Sequence, residues 1–274
     1  MDTQPLPQQN TVRQSSKTLE RLARHNGWLV LVSILLVLVA WGLIVNIGHP
    51  PAFMLPSLSA VWAKFVSTLI DGSLLYHASV TFAEVVAGLF CGSLLATVLG
   101  YLLAKSNALE KLLSPYLIAS QAIPLVAIAP LLIIWFGPGI PSKILICGLT
   151  VFFPVLVNTM IGFRGVPDNL RDLMQSMRAT RWQKFRLLEV PAALPILFGG
   201  LRIGATLSVI GAVVGEFVGS DKGLGFLINV GRGQFDTPLV FVSIFTLIFM
   251  ALVLYSLAML AERRSTRWKT ARHD

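Results

Sequence analysis

Residues 164–191 read RGVPDNLRDLMQSMRATRWQKFRLLEVP. This stretch carries six Lys or Arg residues against three acidic residues, and it lies between two long apolar segments of the chain. Its leucines and methionines recur at helical spacing, which predicts amphipathic helices outside the membrane. A basic amphipathic loop between apolar segments is typical of an element that docks onto a second protein.

The composition of the whole chain indicates a membrane protein. Hydrophobic residues make up 55% of the 274 residues and charged residues 13%, with a mean hydropathy of +0.74, whereas about a quarter of the residues of soluble domains are charged. Crossing a hydrocarbon core of about 30 Å takes roughly 20 apolar residues at 1.5 Å each. Six segments reach that length, at 28–47, 79–103, 112–136, 141–163, 195–215 and 238–261. The prediction is an all-α membrane protein with six transmembrane helices.

The apolar segments recur along almost the whole chain, so a single membrane domain is predicted over residues 28–264. Residues 1–27, rich in Gln, Ser and Arg, predict a disordered basic tail, and residues 265–274 a second short tail. Cys91 and Cys147 lie inside apolar segments and indicate packing roles. The four histidines are scattered, so neither a disulfide framework nor a metal site is expected.

The distribution of cations predicts the orientation, because positively charged short loops stay cytoplasmic. Most of the 22 Lys and Arg residues lie before segment one, after segment two, in the 164–191 loop, or after segment six. The opposite loops hold only Lys64, Lys222 and Arg232. Both termini and the 164–191 loop are therefore predicted to be cytoplasmic. The net charge of +9 is a topology signal, and nucleic-acid binding is not expected.

Within the loop, Pro167 disfavours helix before it and Asp168 is a good N-cap for a first short helix. The apolar residues of that helix recur at i, i+3, i+4 and i+7, as Leu170, Leu173, Met174 and Met177. After a break at 178–180, a second helical run is predicted to end before Pro191. One apolar stripe is expected to rest on the bundle while the remainder meets a partner protein. The alternative, a helix lying among anionic lipid headgroups, fits the spacing equally well.

The loop resembles the cytoplasmic loop of permease subunits of bacterial ATP-binding-cassette importers. Their pattern of Glu-Ala-Ala, three residues, Gly, nine residues and Ile-x-Leu-Pro maps onto Asp172-Leu173-Met174, Arg178 and Leu188-Glu189-Val190-Pro191. The flanks resemble the nitrate, sulfonate and taurine branch in order and spacing, in FMLPSLSAVW (53–62), IPLVAIAPLLIIWFG (123–137), VFFPVLVNTMIGF (151–163), VPAALPILFGGLRIG (190–204) and VVGEFVGSDKGLGFLI (213–228). The resemblance covers about residues 30–264.

This resemblance implies the transmembrane domain of a type I importer in a prokaryotic inner membrane, with a coupling helix between helices 4 and 5. It implies a homodimer, or a dimer with a related permease, and an external solute-binding protein. The chain has no GxxxxGK[ST] motif, so it is not expected to be an enzyme, and ATP would be used by a separate ATPase dimer. The residues implied to dock on that ATPase are Asp172, Leu173, Met174, Arg178, Ala179, Arg181, Trp182 and Pro191.

Charges inside the membrane are candidates for function. Glu84 and Arg202 lie near opposite faces and are not expected to pair, and Arg202 either contacts an anionic substrate or snorkels to the inner interface. Pro124 and Pro130, with Pro115, are expected to kink segment three, which either lines a substrate path or is merely bent. Glu216, at the outer end of segment five, is expected to hold the re-entrant loop over 218–235 that follows this segment.

Small residues recur every four positions in segments two and five, as Gly88, Gly92, Ala96 and Gly100, and as Gly200, Gly204, Ser208 and Ala212. Residues of this size let helix backbones approach closely in lipid. Close helix packing is the favoured interpretation, and a lining for the substrate path is the alternative.

The acid at Glu84 and the run from Leu187 through Phe245 resemble permeases for riboflavin and the thiamine pyrimidine precursor. Riboflavin or a related vitamin is therefore the favoured substrate, and sulfonate, taurine or nitrate is the alternative. Two alternatives belong to other functional classes. A secondary transporter or channel is disfavoured because it needs no basic loop for an ATPase. A membrane-embedded enzyme is disfavoured because the sequence offers no cluster of catalytic residues.

Overall fold

The structure is a computed structural model that describes residues 27–51 and 53–266. Within these residues all regular secondary structure is helical, which confirms the predicted all-α class. Most of the two predicted tails lies outside the described residues. The helices are α1 (Gly27–Gly48), α2 (Leu58–Ile70), α3 (Ser73–Lys105), α4 (Asn107–Gln121), α5 (Leu125–Phe136), α6 (Ile140–Arg164), α7 (Asp168–Ser176), α8 (Arg181–Lys184), α9 (Val190–Gly219), α10 (Leu224–Gly233) and α11 (Thr237–Ser265).

Five helices in the described residues are long and apolar enough to cross a membrane, or six if a bent pair is counted as one span. They are α1, α3, α6, α11 and the continuous helical run Arg181–Gly219, which contains α8 and α9. Their positions agree with the predicted segments, although α3 and α9 extend several residues beyond them. The chain is a multi-pass membrane protein by helix length and composition.

Two compact units divide the chain, one up to Ala60 and one from Val61 onward. In the first unit, α1 is followed by a segment that contains a turn in which the Met54 and Leu55 amides donate to the Pro51 carbonyl. The Trp41 indole Nε1 donates a hydrogen bond of 3.0 Å to the Pro56 carbonyl. In the second unit, α6 packs along both α3 and α9 and so occupies the centre of the bundle. An apolar core of Ala96, Leu103 and Val151 fills part of this packing.

The small-residue positions of α3 lie where its backbone meets α6. A Cβ added at Gly92 would lie 2.5 Å from the Gly148 carbonyl oxygen, and one at Gly88 would lie 2.2 Å from the Cys147 Cβ. On α9, a Cβ at Gly200 would lie 2.7 Å from the Asn158 Cβ. The predicted role of these residues in close helix packing is confirmed.

The third predicted segment is not one helix. α4 ends at Gln121, α5 begins at Leu125, and the two are bent by 97°. The break falls at Pro124, which has no backbone N–H and disfavours helical geometry in the residue before it. Pro115 and Pro130 lie inside α4 and α5 without ending them. The predicted kink of the third segment is confirmed at Pro124, whereas Pro115 and Pro130 do not interrupt their helices.

Candidate functional site

The loop between α6 and α9 begins with the short helix α7. Pro167, not Asp168, is the N-cap, and its carbonyl accepts hydrogen bonds from the Leu170 and Arg171 amides. The predicted N-cap was wrong by one position because Asp168 already has helical geometry. Its carboxylate lies in the first turn, where a negative charge interacts favourably with the positive end of the helix dipole. It also pairs with Arg171 at 3.2 Å.

The apolar stripe of α7 faces outward. Leu173 is 55% exposed and Met177 70% exposed, while Met174 is half-buried. The expectation that this stripe rests on the bundle was wrong. Aromatic and ionic contacts hold the loop on the bundle. The leucine and methionine side chains of α7 are therefore not needed for this packing and stay exposed.

The turn after α7 has the hydrogen bonds of a Schellman motif. The Ala179 amide donates to the Met174 carbonyl and the Arg178 amide to the Gln175 carbonyl, each at 2.9 Å. This motif places its C′ residue in the left-handed conformation, usually with glycine there. Here the residue is Arg178, with φ 52°. The arginine therefore occupies a backbone conformation that a Cβ disfavours.

The second helical run starts at a capping box. The Thr180 side chain accepts a hydrogen bond from the Gln183 amide at 3.2 Å, and the Gln183 side chain accepts one from the Thr180 amide at 2.8 Å. This arrangement satisfies backbone donors that the helix start would otherwise leave free. Arg181 and Trp182 follow directly, and both are exposed.

The helix does not end before Pro191, contrary to the prediction. Residues Phe185–Glu189 form a π-helical turn that continues into α9, and the Val190 amide donates to the Phe185 carbonyl. Pro191 lies in the first turn of α9, directly after the π turn. The wider π turn lets the proline pass without breaking the helix.

Aromatic and ionic contacts tie the loop to the bundle. The Tyr101 ring of α3 contacts Phe163 of α6 and Phe185 of the π turn edge-on, with centroids 4.8 and 5.2 Å apart. Lys105 at the end of α3 pairs with Glu189, which is buried. These contacts fix the π turn against the ends of α3 and α6.

The guanidinium of Arg171 adds a link from α7 by donating to the Phe163 carbonyl at 3.0 Å. Arg164 donates to the Leu103 carbonyl at 3.1 Å and pairs through both terminal nitrogens with Glu110. Sequence analysis included Glu189 in the loop motif but predicted no ion pair for Glu189, Lys105 or Glu110. Their only sequence signal is a charge near a segment end, and their partners are 84 and 54 residues away.

Arg202 and Glu84 do not pair with each other, as predicted, because each has another partner. Arg202 lies 3.0 Å from Glu262 of α11. Its guanidinium is therefore paired, and it is neither an unpaired cation for a substrate nor a side chain that reaches the inner interface without a partner. Glu84 lies 3.2 Å from Lys143 of α6. Lys143 lies near the start of α6 and is 4% exposed.

The four residues considered for a substrate path therefore do not converge. Glu84 and Arg202 belong to separate ion pairs on different helices. Pro124 is the residue before α5 and Pro130 lies within it, and both are exposed. The structure assigns the two charges to contacts between helices.

Glu216, near the end of α9, accepts hydrogen bonds from α3 and from the start of α10. The Thr81 hydroxyl donates to Oε1 at 2.7 Å, and the Gly225 amide donates to Oε2. The carboxylate thus contacts the segment that follows α9, which is the placement expected for a residue that holds this loop.

A cavity of about 530 Å³ lies between α4 and α6, on the side of Glu110 and Arg164. Its wall combines Leu117, Leu156 and Met160 with the polar residues Ser114 and Gln121. The cavity depends on how α4 and α6 pack, so no local sequence pattern predicts it.

Comparison with known proteins places the chain in a class. Residues 85–268 match the model of the binding-protein-dependent transport system inner membrane component. The chain belongs to this family, whose members are transport permeases of multi-pass membrane type.

Individual relatives agree with the family. The chain is 46% identical over 240 residues to the riboflavin transport system permease protein RibX of Chloroflexus aurantiacus, covering 88% of this chain and 90% of that protein. It is 34% identical over 236 residues to the formylaminopyrimidine transport permease protein ThiX of Halalkalibacterium halodurans, covering 86% and 93%. It is 30% identical over 249 residues to the putative aliphatic sulfonates transport permease protein SsuC of Bacillus subtilis, covering 90% of each.

Proposed function

We propose that this chain is the permease subunit of an ATP-binding-cassette importer for riboflavin or a closely related vitamin. The observation that carries the proposal is the 46% identity to a riboflavin transport permease over 88% of the chain. The importer would contain two permease subunits, an ATPase dimer that uses ATP, and a solute-binding protein outside the inner membrane. Both termini and the α7 loop would face the cytoplasm, because the loops on that side carry most of the cations.

The proposed ATPase contact is formed by the exposed apolar side chains Leu173, Met177 and Trp182 together with the cations Arg178 and Arg181. An apolar centre with a charged rim is the usual composition of a protein interface. The headgroup alternative is less well supported, since α7 pairs with the bundle through Arg171 and its apolar stripe is short. Nucleotide-driven motion of the ATPase would displace α7, and the π turn would pass that motion to α3, α6 and α9.

The ion pair of Arg202 favours an uncharged substrate over an anion. Its guanidinium is already matched by the Glu262 carboxylate at 3.0 Å, which leaves its charge compensated. A sulfonate moving through a low-dielectric path needs an uncompensated cation. Riboflavin carries no net charge and needs none. Sulfonate, taurine or nitrate remains the second candidate because of the 30% identity to a sulfonate permease.

We expect Arg202→Gln to reduce riboflavin uptake less than about threefold in a riboflavin auxotroph that carries the complete transporter, a change in barrier below about 1 kcal/mol. Uptake of labelled riboflavin at low external concentration is the measurement, with excess alkanesulfonate as competitor. The double variant Arg202→Gln/Glu262→Gln separates the loss of the arginine from the effect of leaving Glu262 unpaired. If unlabelled riboflavin fails to compete for uptake of the label, or if the alkanesulfonate competes strongly, the substrate assignment is wrong.

We expect Arg178→Gly to keep or improve ATP-dependent uptake. Glycine adopts φ 52° without a Cβ penalty, which amounts to roughly 1 kcal/mol at this turn. The apparent melting temperature should stay level or rise by about 2–4 °C. Arg178→Ala is the matched control, since it removes the guanidinium but keeps the Cβ. If both variants lose uptake, the guanidinium itself makes a contact with the ATPase and backbone strain is not the limiting factor.

A further inference from the structure

The cavity between α4 and α6 combines an apolar wall with polar side chains. Two further grooves have the same volume of about 530 Å³, one between α3 and α6 and one bordered by α9 and α11. Their walls consist almost wholly of aliphatic, aromatic and small residues, as expected of surfaces that face lipid. The α4–α6 cavity is lined in addition by Glu110, Ser114, Gln121 and Arg164. An apolar cleft of this size with a few polar groups is typical of a site for a small molecule.

The polar residues of α4 form one stripe along the cavity. Glu110, Ser114 and Gln121 are four and seven residues apart, a spacing that places their side chains on one face of the helix. This face extends over about 16 Å at 1.5 Å per residue, roughly half of a hydrocarbon core of about 30 Å. The stripe therefore carries hydrogen-bonding groups well into the membrane from the end of α4 that adjoins α3.

Two of these side chains have polar groups that are left unpaired. Within residues 27–51 and 53–266, neither the Ser114 hydroxyl nor the Gln121 carboxamide has a hydrogen-bond partner. By contrast, the Ser120 hydroxyl of the same helix donates to the Leu117 carbonyl at 2.8 Å. An unpaired polar group is strongly disfavoured in hydrocarbon. A lipid chain in the cavity would leave both groups unpaired, so a ligand with polar groups of its own is the better occupant.

The charged residues at one end of the cavity compensate each other. Both terminal nitrogens of the Arg164 guanidinium pair with the Glu110 carboxylate, with Nη2 2.6 Å from Oε2. A bidentate pair of this kind satisfies both charges, so the cavity favours an uncharged ligand over an anion. Since α6 ends at Arg164, the ion pair borders the cavity on the side of the α7 loop.

The α6 side of the cavity supplies the apolar surface. Leu156, Val157 and Met160 line it, and aliphatic and thioether side chains pack well against flat aromatic rings. The carboxamide of Gln121 carries both hydrogen-bond donors and an acceptor. It can therefore pair with the edge of a heterocycle that also presents both. An uncharged planar heterocycle with amide-like groups at its edge matches the apolar wall, the polar stripe and the compensated charge together.

We propose that the α4–α6 cavity is a binding subsite for the transported solute, an uncharged planar heterocycle that packs against the α6 wall and forms hydrogen bonds with Ser114 and Gln121. This inference rests on the proposed function, since the ring system of riboflavin is a heterocycle of this class. The subsite holds the solute beside the α7 loop, and the Glu110–Arg164 pair is its border on that side.

Thiol protection in the complete transporter, reconstituted in liposomes, tests the subsite. Ser114→Cys is introduced into a Cys91→Ala/Cys147→Ala parent, and its modification by a water-soluble cationic methanethiosulfonate is timed with and without riboflavin on both sides of the membrane. We expect riboflavin at several times its half-saturating concentration to slow modification at least about fivefold. An alkanesulfonate at the same concentration should have no effect. The control is Ile210→Cys in the α9–α11 groove, which should stay unmodified because a thiolate does not form in hydrocarbon.

The outcomes separate an error in the subsite from an error in the proposed function. If the thiol reacts and riboflavin does not protect it, while the parent transporter imports riboflavin, the proposed function stands and the subsite is wrong. If the thiol does not react, lipid fills the cavity and the subsite is likewise wrong. Protection by the alkanesulfonate and not by riboflavin would overturn the uncharged heterocycle and the proposed substrate together.

Substitution of Gln121 provides a second measurement. Gln121→Leu removes the carboxamide but keeps a side chain of similar size, so riboflavin uptake should fall about fivefold through the loss of one hydrogen bond to the solute. The amount of co-purified ATPase should not change. Tyr116→Leu removes a hydroxyl from a part of α4 that does not line the cavity, and its uptake should match that of the wild type. Wild-type uptake by Gln121→Leu would show that this side chain does not bind the solute.

Discussion

Replacing Leu173 by aspartate is expected to abolish co-purification of the ATPase and to lower uptake at least about tenfold, a loss above about 1.4 kcal/mol. Leu173 is 55% exposed on α7, so the change does not disturb the core of the permease. It places an unpaired charge at the centre of the proposed apolar contact, where interface residues contribute most. The ATPase retained on the purified permease, and uptake in cells, are the two measurements.

The matched control is Gln175→Asp, which adds the same charge two positions away on the opposite side of α7. It should retain the ATPase. Arg181→Glu reverses a charge at the rim and should also weaken binding, with a strong dependence on salt. The thermal stability of the permease alone should be unchanged in all three. If Leu173→Asp and Arg181→Glu both keep the ATPase and transport, α7 is not the docking element.

Gly92→Ala is expected to destabilise the permease by several kcal/mol and to reduce the yield of folded protein. The added Cβ would lie 2.5 Å from the Gly148 carbonyl oxygen and 2.8 Å from its Cα. Both atoms belong to the backbone of α6, so no side-chain rotation relieves the clash, and α3 must move away from α6. The measurement is the apparent melting temperature together with the monodisperse fraction after detergent extraction.

Gly199→Ala provides the control for this prediction. Gly199 lies within α9, and a Cβ there would meet no atom within 4 Å. Alanine favours a helix over glycine by about 1 kcal/mol, so this variant should be as stable as wild type or more so. Equal stability of the two alanine variants would contradict close approach of α3 and α6 at Gly92.

The loop shows how far sequence reasoning extends into the candidate site. The spacing of Leu170, Leu173 and Met177 predicts a helix, and the structure contains one, because this pattern is local. The spacing does not say which surface the stripe faces, and here it faces outward. The proline at 191 predicts a helix end, but a π turn carries the helix past it. Both errors concern choices that neighbouring helices decide.

The ion pairs show a second limit. Sequence identifies Glu84, Arg202 and Glu216 as unusual because a charge in an apolar segment is visible without a structure. Their partners Lys143, Glu262 and Thr81 lie 59, 60 and 135 residues away along the chain. Only the packing of α3, α6, α9 and α11 brings these groups together.

The sequence by itself determined the membrane class, the helix content, the basic loop with its turn at Arg178, and the resemblance to importer permeases. These properties follow from composition, from the 3.6-residue period and from short motifs, each of which acts within a few residues. The tertiary structure decided which proline breaks the third segment, the exposed face of α7, the aromatic contacts of the π turn and the Glu84–Lys143 ion pair. Each of these features depends on which distant helices share an interface. The hydrophobic effect is non-directional, so a local sequence pattern does not specify which helices pack against each other.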